Sequence, residues 1–240
     1  MENKEHSLKK TARLAGLLAL VMGIPAPFAL LYVPSKIIVS GDAAATANNM
    51  LANEFLFRAG IVAHLFHVIV FIFFVLALFR LLKSVNENRA KLMVLLVVVQ
   101  VPIIFLIETF NFSALMILKS EVVLKSFEPT QVQDLSMLLL RMSRYGITLL
   151  EIFWGLWLIP YALLVYKSGF IPRLLGVLLI INGMGWIVES LAFLLLQRSE
   201  YLFVHQFTTL TYFGELIMVL WLLIKGVKNN IPTINNLIQH

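Results

Sequence analysis

His64 and His67 stand three residues apart in GIVAHLFHVIVFIFF (60–74), and Glu108, Glu151, Glu189 and Glu215 each lie alone within an apolar run. Imidazole and carboxylate together support three kinds of chemistry: holding a metal ion, passing a proton, or binding a cation. An ionisable residue at the centre of a membrane helix costs about 2.5–3.5 kcal/mol, so four lipid-facing glutamates would cost on the order of 10 kcal/mol. These side chains are therefore expected to face inward.

The elements that must position them are membrane helices. Of the 240 residues, 60% are hydrophobic and 13% charged, with a mean hydropathy of +0.90, far from globular composition. Apolar runs near 13–33, 57–83, 91–118, 145–166, 172–196 and 204–225 each suffice to cross about 30 Å of hydrocarbon, which takes roughly 20 helical residues. The first run follows KKTAR but continues past Pro25 and Pro27 with no small-residue cleavage site, so it reads as a kinked helix and not as a signal peptide. The expected fold is all-α: one integral membrane domain over 1–240, a polytopic bundle of six transmembrane helices.

The net charge of +6 does not point to nucleic acid, because the basic residues sit at the ends of apolar runs without interleaved aromatics. Twelve Lys and Arg (4, 9, 10, 13, 80, 83, 89, 91, 167, 173, 225 and 228) fall on the side of the N-terminus and seven on the other. The positive-inside rule then places both termini in the cytoplasm. YKSGFIPR suits a tight hairpin, with Gly169 near a helix C-cap and Pro172 near the next first turn. Two longer connections on the other side, 40–55 with Asp42 as N-cap and 128–144 with apolar residues at 132, 135, 138, 139 and 142, are expected as amphipathic interface helices. No cysteine is present, which excludes disulfides, thiolate ligands and cysteine nucleophiles.

Helical spacing gathers the polar residues into stripes. His205, Thr208, Tyr212 and Glu215 follow i, i+3, i+7, i+10; Asn182, Trp186 and Glu189 follow i, i+4, i+7; Thr148, Glu151 and Gly155 follow i, i+3, i+7. Counting about 1.5 Å per residue puts both histidines and the four glutamates in the outer half of the membrane. We therefore expect a polar, ligand-binding cavity lined by His64, His67, Glu108, Glu151, Asn182, Glu189, Tyr212 and Glu215. The plainer reading of any one such glutamate is a protonated group bonded across to a neighbouring helix. His205 reads as interfacial, the tryptophans and Tyr212 also as packing or interface anchors, and Glu54 and Arg58 as a surface ion pair.

RLAGLLALVMG (13–23), KLMVLLVVVQV (91–101) and RLLGVLLIING (173–183) resemble one another, with starts 78 and 82 residues apart, and RAGI (58–61) echoes RYGI (144–147). The repeated unit would be a helical hairpin, used three times. SKIIVSGDAAATANNMLANEFLFRAGI (35–61), KKTARLAGLL (9–18) and SGFIPRLLGVLL (168–179) resemble the bacterial membrane family catalogued as domain of unknown function number 4386. That resemblance covers most of the chain and implies a bacterial multi-pass membrane protein, with no activity or site residue to carry over. Three hairpins are also similar in architecture to mitochondrial carriers, but the Pro-x-acidic-x-x-basic signature is absent.

Three functions compete. The most specific is binding or proton-linked transport of a small cationic or amphiphilic molecule, because membrane carboxylates can share protons and favour cations. The second is a non-enzymatic structural or regulatory membrane component whose polar cluster only fixes helix packing, with any protein partner unidentified. The third is a metalloenzyme, with His64, His67, Glu151 and Glu215 as candidate ligands, or haem held between His67 and His205. No Glu-x-x-His pair or His-Glu-x-x-His motif supports the third, so the expectation is no cofactor and no enzyme, in the bacterial cytoplasmic membrane with the lipid bilayer as partner.

Overall fold

The computed structural model describes residues 2–119 and 126–227. Among the described residues, six helical spans are long and apolar enough to cross a membrane: His6–Ile37 (α1), Glu54–Leu82 (α3), Glu87–Leu118 (α4), Pro129–Ser168 (α5), Arg173–Leu195 (α6) and Arg198–Ile224 (α7). A short helix, Ala43–Ala52 (α2), joins α1 to α3. No strand occurs among the described residues. Lys228 and the C-terminus lie outside the described residues.

The prolines interrupt α1 as expected. Regular helix ends at Gly23, and after Pro25–Pro27 the chain makes a π-helical turn, Phe28–Tyr32. Neither proline has an amide hydrogen to return to the preceding turn, which is why the α-helical ladder fails there. Asp42 caps α2 by accepting the amide hydrogen of Ala45 at 2.8 Å, and Gly41 and Gly169 adopt positive φ of 80° and 72° at the turns flanking helices.

The second interface helix does not form separately. Residues 129–168 are one helix of 40 residues, about 60 Å long, twice the hydrocarbon thickness. The cause is local. Between Pro129 and Pro160 the glycines are Gly146 and Gly155, and both are held by packing: a Cβ on Gly146 would come 2.9 Å from Ile107, and one on Gly155 would run into the carbonyl oxygen of Gly183. The buried face of the leading half also differs from the expected stripe. It carries Ser136, Met137, Leu140 and Ser143, whereas Leu138 and Met142 are exposed. Ser136 donates to the carbonyl of Ala114 at 3.1 Å, a bond that sets this face.

The chain divides into two compact units. One comprises Val21–Val70 and Gln100–Leu149; its core joins Val33, Ile37, Met50, Phe57, Ala114, Leu115 and Leu140. Here Glu54 takes hydrogen bonds from Arg58 at 2.7 Å and Lys119 at 3.0 Å, so the expected ion pair exists with one more cation. The other comprises Met1–Leu20, Phe71–Val99 and Leu150–His240. In it Trp157 packs edge-on against Phe71 and Phe74 and stacks on Tyr161. The two RLxG glycines play the same part in this unit: Gly16 meets the backbone of Leu222 and Leu223, and Gly176 that of Ala162 and Tyr166. Only hydrogen fits at either position, which is how α1 approaches α7 and α5 approaches α6.

Candidate functional site

The stripes on α6 and α7 face each other. Glycines bring the helices together: a Cβ on Gly214 would lie 2.8 Å from the carbonyl oxygen of Leu178, and one on Gly185 would strike the hydroxyl of Thr211. Across this close contact the polar residues pair. Glu189, 3% exposed, faces four donors from α7: His205 Nδ1 at 2.5 Å, the hydroxyl of Thr208 at 2.8 Å, that of Tyr201 at 3.5 Å, and that of Tyr212. An ionised carboxylate only accepts, so these donors stand in for its lost water. His205 itself has 47% of its side chain uncovered, so an imidazole near the surface touches a buried carboxylate directly.

Toward the start of α6, Asn182 and Trp186 hold Glu215 of α7, with Asn182 Nδ2 at 2.7 Å and Trp186 Nε1 at 3.3 Å, both on Oε1. Trp186 stacks on Tyr212 with centroids 3.9 Å apart and meets Trp154 edge-on at 5.1 Å. Tyr212 thereby joins the two carboxylates: its hydroxyl reaches Glu189, and its ring lies on the indole that reaches Glu215. Asn182 Oδ1 and the Ser190 hydroxyl are buried with no hydrogen-bond partner.

The histidines belong to the other unit. His64, 1% exposed, places Nδ1 2.5 Å from Glu108 Oε1, and Asn111 donates to Glu108 Oε2 at 2.9 Å. His67 Nδ1 donates to the carbonyl of Met22 at 2.8 Å. Met22 lies between Val21 and Gly23, whose carbonyls lose their helical donors to Pro25 and Pro27, so His67 supplies a side-chain donor where the backbone lacks them.

Of the eight expected residues, the structure brings His64 to Glu108, and Asn182, Glu189, Tyr212 and Glu215 to one seam. His67 lies beside His64, with ring centroids 6.2 Å apart, and Glu151 is half-buried on α5, three residues before Trp154. Among the described residues no three His, Asp or Glu side chains gather where they could hold a metal ion. Sequence reasoning left out Asn111, Tyr201 and Met22, and took His205 as merely interfacial. Helical spacing held two of these: Asn111 is i+3 from Glu108, and Tyr201 extends the α7 stripe by one turn before His205.

A family model described as "Domain of unknown function (DUF4386)" matches residues 14–226. The chain belongs to the DUF4386 family. This DUF4386 protein is 40% identical over 77 residues to an "Uncharacterized protein" of Archaeoglobus fulgidus. The match covers 32% of this chain and 44% of that relative, so the chain spans less than half the relative's length. No solved structure matches. The matched range includes all of the polar groups described above, from the Met22 carbonyl to Glu215.

Proposed function

We propose that this membrane protein binds a small cationic or amphiphilic molecule and exchanges it for protons along the seam between α6 and α7. The reading is supported by one contact, that of buried Glu189 with half-uncovered His205. Exchange needs a carboxylate that can hold either a proton or a cation, and a group that carries protons between it and the surface; carboxylate and imidazole have those properties. Tyr212 and Trp186 extend the contact to a second carboxylate, Glu215. The proposed residence is the bacterial cytoplasmic membrane with both termini in the cytoplasm, on the distribution of Lys and Arg.

The test uses purified protein in vesicles with a pH-sensitive dye trapped inside and ethidium added outside. The expected result is ethidium-dependent proton movement that Glu189→Gln and Glu215→Gln abolish while leaving the helical content unchanged. Proton movement unaffected by either substitution would overturn the reading.

A second reading has its own support. The chain supplies Glu189 with all its donors, and Gly155 and Gly183 stand in backbone contact, so the polar seam can serve to fix helix packing in a structural or regulatory component. On that reading the wild-type protein moves no protons in response to ethidium.

A further inference from the structure

Glu189 and Glu215 differ in what they lack. Glu189 has four donors from its own chain, whereas beside Glu215 an acceptor is left over. Asn182 is 0% exposed; its nitrogen donates to Glu215, and its oxygen receives nothing. Turning the amide over would set that oxygen against an ionised carboxylate oxygen, so the vacancy for a donor persists while Glu215 is charged. A buried acceptor without a donor is unfavourable and calls for an explanation, of which a bound group is one.

The surroundings specify the donor. When ionised, Glu215 offers negative charge within reach of the same amide. Trp186, bonded to that carboxylate, stands with Tyr212 on one side and Trp154 edge-on, giving an electron-rich aromatic wall that favours a cation and covers an apolar tail. A quaternary ammonium has the charge but no N–H for Asn182. A neutral alcohol has a donor but no charge for Glu215. A protonated primary amine has both. We propose that Asn182, Glu215 and Trp186 bind a protonated primary amine bearing an apolar tail; this rests on the cation-binding reading above and names its ligand class.

The experiment follows tryptophan fluorescence of the full chain in phosphatidylglycerol nanodiscs, since two of its four tryptophans, Trp154 and Trp186, line the site. Phenethylammonium, its N,N,N-trimethyl analogue and 2-phenylethanol are titrated in turn. The expected result is saturable binding of phenethylammonium at least tenfold tighter than of either analogue. Asn182→Ala removes the preference over the trimethyl analogue, Asn182→Thr, which keeps an acceptor oxygen, retains part of it, and Glu215→Gln weakens both cations. Equal affinity for the three compounds overturns the proposal, as does a preference that survives Asn182→Ala; the wild-type comparison decides even if a variant does not fold. Competition by added phosphatidylethanolamine assigns the amine to a lipid head group, and no competition assigns it to a free solute. Amine preference without ethidium-driven proton movement overturns the exchange reading alone; proton movement without the preference overturns this site alone.

Discussion

Tyr212 gives its hydroxyl hydrogen to the carboxylate of Glu189 and so ties the middle of α7 to α6 at a buried point. The same ring lies flat on Trp186, with an interplanar angle of 10°. Hydrogen bond and stack are separable by substitution.

Tyr212→Phe keeps the stack and removes the bond. A hydrogen bond to a charged group contributes about 1.5–3 kcal/mol in soluble proteins and roughly 0.6–1.7 kcal/mol between membrane helices. We expect a loss of about 1–2 kcal/mol for Phe and a further ~1 kcal/mol for Ala, which also removes the aromatic pair. Unfolding in sodium dodecyl sulfate followed by circular dichroism measures both. Equal losses would show that the stack contributes nothing.

His64 and Glu108 make a buried pair whose members depend on each other. His64→Leu leaves Glu108 with Asn111 alone, and breaking a buried pair from one side costs about 3–5 kcal/mol. The double substitution His64→Leu with Glu108→Leu is expected to cost less than the two single losses added together. A double-mutant cycle that sums without a coupling of at least about 1 kcal/mol would argue against the pairing.

Gly155 and Gly23 give opposite outcomes for one added methyl group. A Cβ on Gly155 runs into the carbonyl oxygen of Gly183 and the side chain of Ile187, while Gly23 has nothing within 4 Å. Gly155→Ala should destabilise the protein by about 1–3 kcal/mol through overpacking. Gly23→Ala should be neutral or stabilising by up to about 1 kcal/mol. Melting temperatures of the two variants make the comparison, and similar values would refute the contact.

Topology can be read chemically because the chain has no cysteine. Ser40 and Ser84 are both exposed at connections between spans. With both termini in the cytoplasm, an impermeant maleimide labels Ser40→Cys in intact cells and labels Ser84→Cys only after permeabilisation. The reverse pattern would invert the orientation.

The spans and the α6–α7 stripes were legible because each rests on one helix's own spacing. His205, Thr208, Tyr212 and Glu215 share a face by arithmetic alone, as do Asn182, Trp186 and Glu189. That the two faces meet depends on Gly185 and Gly214, whose role appears only when the Thr211 side chain and the Leu178 backbone are in place against them. The partner of His67 was beyond reach for another reason: it is a backbone carbonyl, and every residue has one. The apolar spacing at 132, 135, 138, 139 and 142 describes a helix face but not where the helix ends: nothing in 130–159 breaks a helix, and Ser136 fixes the leading half by a single bond.

Within α7 the three residues Leu210–Tyr212 form a 3-10 turn, placed between His205 and Glu215. A 3-10 helix closes a turn in 3.0 residues against 3.6, so three residues add about 60° of rotation. The turn therefore works as a phase setting: it fixes the azimuth of Glu215 relative to His205 without touching either. Rewinding it to α-helix would swing Glu215 by about 60° around the axis of α7, leaving every side chain of the seam intact and the two carboxylates out of register.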